Sequence, residues 1–434
     1  MNNTRKMKRD LKQKYNVYKD LFKIIRHYFP DFIDTLSSIS DPRHQSYITY
    51  SQVELILIRM FGFFSHCQSM RHINETFNCE TFINNCRLLF DETLDEVPHS
   101  DTINYYLKEI HINELRNVIY GMIRDLLKKR FLDDFRINKT YYHVIIDGAQ
   151  IYSYDKNHID GSIKIVHDNH SSYHTNMLVA FIERDNMVIP LDFEPIENVG
   201  IVYDKQDCEI NAAKRMMKRI KNHFKRLPIC ISGDALYFSE PMIKIIEEYK
   251  WTYMITYKEG CTKEVNEYYE TAKQYGDIMI KEENEDIYEY YNGIHYRDID
   301  NINMIRLKTK KTEFCYVTNL KITGYNYRKM MEIGRKRWKI ENKEFNYLTN
   351  HGYHMKHAYS YDENAIKGHY AIMLMSHLIM QLLEMYERNQ GRFESIRKMG
   401  EEIKEALRNR NLSAQDIKDL SAHHHLSRIN LQLL

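Results

Sequence analysis

The chain has 434 residues, 43% of them hydrophobic and 28% charged, with a formal net charge of +2 at pH 7. That length accommodates two or three domains with their own cores, and the balance is that of a globular protein rather than a disordered one. With so small a net charge, any surface for nucleic acid has to come from local clustering of Lys and Arg.

Seven cysteines (67, 79, 86, 208, 230, 261 and 315) are scattered, odd in number and without C-x-x-C pairs. This argues for a reducing, cytoplasmic setting and against a disulfide framework or a zinc ribbon. The N-terminus, MNNTRKMKRDLKQKYNVYK, is charged and lacks the apolar centre of a signal peptide. The most apolar segment, Tyr370 to Leu383, contains Ser376, His377 and Gln381 and falls short of the roughly 20 apolar residues of a membrane span, so a buried helix is expected.

Residues 1 to about 135 read as helical. Val53 to Phe61 opens a buried helix capped by Ser51. His99-Ser100-Asp101-Thr102 begins another, running through Tyr105, Tyr106 and Leu107. A third, about Ile112 to Phe131, sets Leu115, Val118, Ile119, Met122, Ile123, Leu126 and Leu127 on one stripe. Arg116, Arg124, Lys128, Lys129 and Arg130 decorate its other side, as a solvated or a DNA-facing surface.

From Tyr141 the period changes. Tyr141-Tyr142-His143-Val144-Ile145-Ile146-Asp147-Gly148 is an apolar run that ends in a carboxylate and a glycine, and Pro228 to Ala235 repeats the design around Asp234. Such runs read as buried strands of a sheet covered on both faces. Tyr173 to Ile182 and Met187 to Phe193 predict a hairpin, turning at Glu183-Arg184-Asp185-Asn186. Asp207 is expected to cap a helix reaching about Phe224, and Lys214, Arg215, Lys218, Arg219 and Lys221 on it face either solvent or DNA. A helix near Pro241 to Tyr249 and a strand at Tyr253 to Tyr257 follow. The order β-β-β-α-β-α-β predicts an α/β fold, a mixed sheet with flanking helices. Lys258 to about Gly324 is alternating and Tyr-rich, a small β-rich insertion, before a last core helix from about Asn326 to Tyr347. Ile366 to Leu383 and Phe393 to Leu420 are helical again.

In open sheets the carboxyl ends of strands carry the site, which is where Asp147 and Asp234 fall. Arg335-Lys336-Arg337-Trp338-Lys339-Ile340-Glu341-Asn342 adds a basic helix with one carboxylate. Two strand-end aspartates and a helical glutamate suit a two-metal phosphoryl-transfer site, since carboxylates bridge a pair of hard cations about 4 Å apart. Glu344, one turn on, is the rival third ligand, and Arg337 at i−4 offers Glu341 a plain ion pair instead. Arg335, Lys336, Arg337, Lys339 and Lys343 are the candidate phosphate-binding cations. His167, His170 and His174 lie in a polar stretch without a cysteine partner, so a solvated or DNA-near loop is expected rather than zinc. His423-His424-His425 read as a surface helix end, and Trp251 and Trp338 as packing residues.

With these motifs in place, the chain resembles the DDE transposases of bacterial insertion sequences from about Tyr141 to Met380. Ile145-Ile146-Asp147-Gly148-Ala149-Gln150 looks like the first-aspartate motif and Ser232-Gly233-Asp234-Ala235-Leu236-Tyr237 like the second. Lys205-Gln206-Asp207-Cys208-Glu209 with Ala212-Ala213-Lys214-Arg215 looks like the helix motif of one insertion-sequence group. Arg337-Trp338-Lys339-Ile340-Glu341-Asn342 with Phe345-Asn346 resembles the glutamate motif. The family signature Y-x-x-R-x-x-x-E-x-x-x-x-x-x-K is met at Arg337 and Glu341, but Gly334 stands where Tyr would and Leu348 where Lys would. The resemblance implies a ribonuclease H-like catalytic core in two parts, 136–258 and 325–388, around a β-rich insertion at 259–324. A helical region, 1–135, would bind DNA ends and dimerise, and 389–434 would form a helical tail. It further implies Asp147, Asp234 and Glu341 as catalytic metal ligands for two Mg²⁺, with Mn²⁺ able to substitute. The expected partners are DNA and a second copy of the chain, with no membrane. Other readings are a nuclease of the same fold, or a catalytically silent DNA-binding descendant if the three carboxylates do not converge.

Overall fold

In the computed structural model, which describes residues 17–90, 94–184, 187–198, 207–260, 262–339 and 345–421, the amphipathic stretches fold as helices and the alternating ones as strands. The described residues fall into two units, one drawn from 17–131, 157–160 and 347–421, the other from 132–156 and 161–346.

The first unit opens with α1 (Val17–Tyr28), α2 (Phe32–Ser37), α3 (Gln52–Phe64), α4 (Met70–Phe77), α5 (Glu80–Phe90), α6 (Ser100–Glu109) and α7 (Ile112–Lys128). Ser51 starts α3 as expected, in a capping box: its hydroxyl accepts from the Glu54 N–H at 3.2 Å while Glu54 accepts from the Ser51 N–H at 2.7 Å. The stripe of α7 is buried from Leu115 to Leu126. Arg116, expected on its solvated side, is buried too, with its guanidinium donating to Asn113 at 2.9 Å.

The second unit is built on one eleven-stranded sheet among the described residues. Its strands are β1 (Arg136–Ile137), β2 (Tyr141–Tyr154), β3 (Ile163–Val166), β4 (Ser171–Arg184), β5 (Met187–Ile196), β6 (Ile229–Gly233), β7 (Thr252–Thr256), β8 (Met279–Glu283), β9 (Asp286–Tyr296), β10 (Ile299–Lys308) and β11 (Glu313–Thr318). Its helices are α8 (Glu209–His223), α9 (Glu240–Glu248), α10 (Lys263–Gln274) and α11 (Tyr327–Lys339). The sheet runs β3-β4-β2-β6-β7-β11-β10-β9-β8, with β5 also on β4 and β1 on β2. β2 pairs antiparallel with β4 and parallel with β6, and β6 pairs parallel with β7. The Tyr-rich stretch extends this same sheet, because β11 pairs antiparallel with β7.

Two local expectations are corrected here. Asp147 does not end its strand: β2 continues to Tyr154 because β4 keeps pairing with it, Asp147 opposite Val179. Only the parallel partner stops, its last pair being Ile145 with Ser232. Nor does Asp207 cap α8. Cys208 occupies that position without a side-chain cap, and Asp207 takes the Arg215 guanidinium at 2.7 Å. Arg215 and Arg219 also reach Glu194 and Asp192, buried acids of β5, at 2.5 and 3.1 Å. These two cations are thereby committed to the fold, since a buried carboxylate is costly unless paired.

α11 lies on the sheet through Met330, Met331 and Ile333, which pack against Cys230, Met254 and Tyr316. Each such side chain contributes roughly 1.5–3 kcal/mol by leaving water.

The chain then returns to the helical unit with α12 (Asn346–Asn350), α13 (Glu363–Asn389), α14 (Ile396–Asn409) and α15 (Ala414–Ser421). α13, allotted from sequence to the catalytic core, packs on α6, α3, α7 and α1. A buried cation ties it down: Arg59 of α3 lies over the rings of Phe63 and Tyr359, at 3.7 and 4.2 Å, and donates to His369 Nδ1 at 3.2 Å. Burial and the Arg59 charge hold the His369 imidazole well below its usual pKa, in the neutral form that accepts this bond. Among the described residues no helix is long and apolar enough to cross a membrane.

Candidate active site

The site forms where β2 and β6 lose their parallel pairing. Asp147 lies two residues past the last pair on β2, and Asp234 directly follows β6. Each aspartate has one oxygen held by the backbone: Asp147 Oδ1 accepts from the Gly148 N–H at 3.0 Å, and Asp234 Oδ1 from the Leu236 N–H at 2.9 Å. The second bond caps a short 3₁₀ turn, Ala235–Tyr237, that starts at Asp234.

Both glycines of these motifs make room for a neighbour. A Cβ on Gly233 would lie 2.5 Å from the Tyr237 ring, and one on Gly148 would lie 2.9 Å from Glu209 Oε2. The Tyr237 hydroxyl then donates to Glu209 Oε1 at 2.5 Å. A Tyr–Glu pair is thus seated against the two glycines that adjoin Asp147 and Asp234. Burial raises the Glu209 carboxyl above its usual pKa, the Tyr237 bond opposes this, Asp234 adds to it and Arg337 again opposes it. Burial first, then the charges of Glu209, Asp147 and Asp234, push the Tyr237 phenol far up, so it remains a donor.

Glu209 stands inside the helix motif, where the sequence alone assigns it no role. The usable signal is an acid in the first turn of the helix that follows the β-hairpin, and the fold brings that turn against Gly148, next to Asp147.

The basic helix reaches this place. Arg337 Nη1 is 3.6 Å from Asp147 Oδ2, and Lys336 Nζ is 3.3 Å from Glu183 Oε2. Arg335 is exposed and stacks its guanidinium over Phe314 at 4.7 Å. Lys339 ends α11, while Glu341, Asn342, Lys343 and the rival Glu344 lie outside the described residues, as do Lys205, Gln206, Cys261, the Asp185-Asn186 turn and His423 to His425. Among the described residues no three His, Cys, Asp or Glu side chains are grouped so as to hold a metal ion. Trp338, expected to pack, is 67% exposed, whereas Trp251 is buried. His174 is in β4 rather than a loop, bonded to Gln150 at 3.0 Å, and His167 bonds Ser172 at 2.9 Å.

Gly334, the departure from the family signature, has a structural cause. A Cβ there would meet the ring of Tyr316, on β11, at 2.6 Å.

Residues 138–379 match the family described as Transposase DDE domain, and residues 33–122 match the family described as DDE_Tnp_1-associated. No curated protein matches the chain.

Proposed function

The chain belongs to the DDE transposases, and on that premise we propose that it cuts and joins the ends of an insertion sequence by phosphodiester hydrolysis and transesterification. The observation that carries this reading is the juxtaposition of Asp147 and Asp234 just past the parallel pairing of β2 with β6, with a cationic helix bringing Arg337 to 3.6 Å from Asp147. The strand order β5-β4-β2-β6-β7, antiparallel in its first two pairings and parallel in the next two, supports a ribonuclease H-like core.

The donor set fits a hard divalent cation such as Mg²⁺, since it consists of carboxylate oxygens held in place by backbone N–H groups. Asp147 and Asp234 would hold it, with Glu341 as the third ligand. Bound Mg²⁺ supplies Lewis-acid stabilisation of the attacking and leaving oxygens. The protein's own part is to orient. The Gly148 and Leu236 amides fix the two carboxylates, Tyr237 fixes Glu209 beside them, and Arg337 balances the charge on Asp147. Arg335, Lys336, Arg337, Lys339 and Lys343 supply cations for the DNA backbone, and the helical region that includes residues 33–122 recognises element ends and pairs two copies of the chain.

The test is Mg²⁺- or Mn²⁺-dependent nicking of DNA carrying the element's ends, wild type beside Asp234→Ala and Asp147→Asn. Cleavage lost in both variants with DNA binding retained is the expected result. Equal cleavage in wild type and variants would refute the site, and binding without cleavage in any form would favour a silent DNA-binding descendant.

A further inference from the structure

A chain of buried polar groups crosses the sheet beneath the site and has no part in the chemistry above. Ser232 of β6 bonds His143 Nε2 at 2.8 Å, and His143 Nδ1 lies 3.2 Å from Glu183 Oε2 of β4. The same Glu183 oxygen takes Lys336 of α11 at 3.3 Å. The distances match a nucleophile–base–acid relay. However, Ser232 and His143 are 0% exposed, so no substrate reaches the hydroxyl. A buried carboxylate is costly, and here burial is outweighed by the His143 bond and then by the Lys336 charge, which keep Glu183 below its usual pKa and ionised. Buried charge networks of this kind are best attested as devices that fix register.

The register concerned is that of α11. Lys336 and Arg337 are consecutive, and each meets a carboxylate on a different strand, Glu183 on β4 and Asp147 on β2. Those strands are paired neighbours, with Val144 opposite Ile182 and Asp147 opposite Val179. Two such contacts on adjacent strands resist both rotation of the helix about its axis and sliding along the sheet. The Asp147 contact is the one that a cation at Asp147 would compete for; the Glu183 contact is not.

We propose that His143 and Glu183 are positioning residues that, through Lys336, lock α11 on the sheet and so hold Arg337 at Asp147. For its consequence in catalysis this rests on the transposase reading; for the lock itself it does not.

The experiment is limited trypsin digestion of the full-length chain without DNA, with mass-spectrometric timing of cuts after Arg335 and Arg337. Cuts after Arg130, an exposed residue beyond α7, serve as reference. Digestion follows the population of the opened helix, so Glu183→Gln and Lys336→Met should each accelerate the α11 cuts on the order of tenfold. The double variant should be no faster than the faster single one, because the two share one interaction. Lys336→Arg should digest at the wild-type rate. Unchanged rates, additive effects, or a parallel rise after Arg130 would each overturn the lock. In the nicking assay Glu183→Gln, which removes no DNA-binding cation, should lose cleavage of end DNA while retaining its binding. A wild-type chain that cut no DNA would count against the proposed activity and leave the digestion result standing.

Discussion

Tyr237→Phe deletes one oxygen and, with it, the donor to Glu209. The wild-type bond is 2.5 Å to a carboxylate whose pKa burial already raises. A hydrogen bond to a charged group is worth roughly 1.5–3 kcal/mol, and one between neutral groups about 0.5–1.5. Glu209 is only partly buried, so screening reduces the first figure to about 1–2 kcal/mol. The pH dependence has a definite sign. Because the folded pKa of Glu209 lies above its ordinary 4.5, its burden on stability is absent below pH 4.5 and complete once pH rises past the folded value. Losing the Tyr237 bond raises the folded pKa further, so the variant's deficit should be larger at neutral than at acid pH. Urea denaturation of wild type and variant at pH 7.5 and pH 5 reads this directly from the midpoints. A deficit of about 1–2 kcal/mol at pH 7.5 that shrinks at pH 5 is expected. A deficit equal at both values would show that the hydroxyl serves packing rather than the carboxylate, and no deficit at either would remove the Tyr–Glu pair from the site.

Gly233→Ala forces a methyl to 2.5 Å from the Tyr237 ring and should cost about 1–3 kcal/mol in the same denaturation assay. Ser51→Ala should lose about 1 kcal/mol of stability, because it removes one half of the capping box that starts α3. Trp338→Ala should change stability by no more than about 0.5 kcal/mol, since the ring is 67% exposed; a larger loss would contradict that exposure.

The aspartate motifs were legible because a strand run that ends in Asp-Gly or Gly-Asp is a local pattern, and so was the stripe of α7. What escaped was decided by distant partners. The run at Asp147 looks finished from β6, where pairing stops, but the strand is carried on by β4, whose register is not visible in the run itself. Arg116 and Arg215 follow the same logic. A cation at a helical spacing that suits a solvated face is indistinguishable in sequence from one whose partner lies on that same face, or on a strand such as β5. Asp207 precedes a helix as a cap would, yet Arg215 two turns on claims its carboxylate. The Tyr-rich stretch reads as β-rich from its alternation, but that alternation says nothing about which sheet edge it joins, and β11 joins β7.

The contact between Gly334 and the Tyr316 ring makes two positions into one heritable unit. A copy of this gene could not acquire the signature tyrosine by a single substitution at 334 without displacing Tyr316, since the space is already taken by that aromatic side chain arriving from β11. The change would have to pass first through a smaller residue at 316, and that intermediate would leave a hole beside Arg337. Lineages related to this chain are therefore expected to carry either glycine with a large residue at these two positions or a large residue with a small one. Recombining the two arrangements within the α11 segment alone would produce a helix that cannot sit on its sheet.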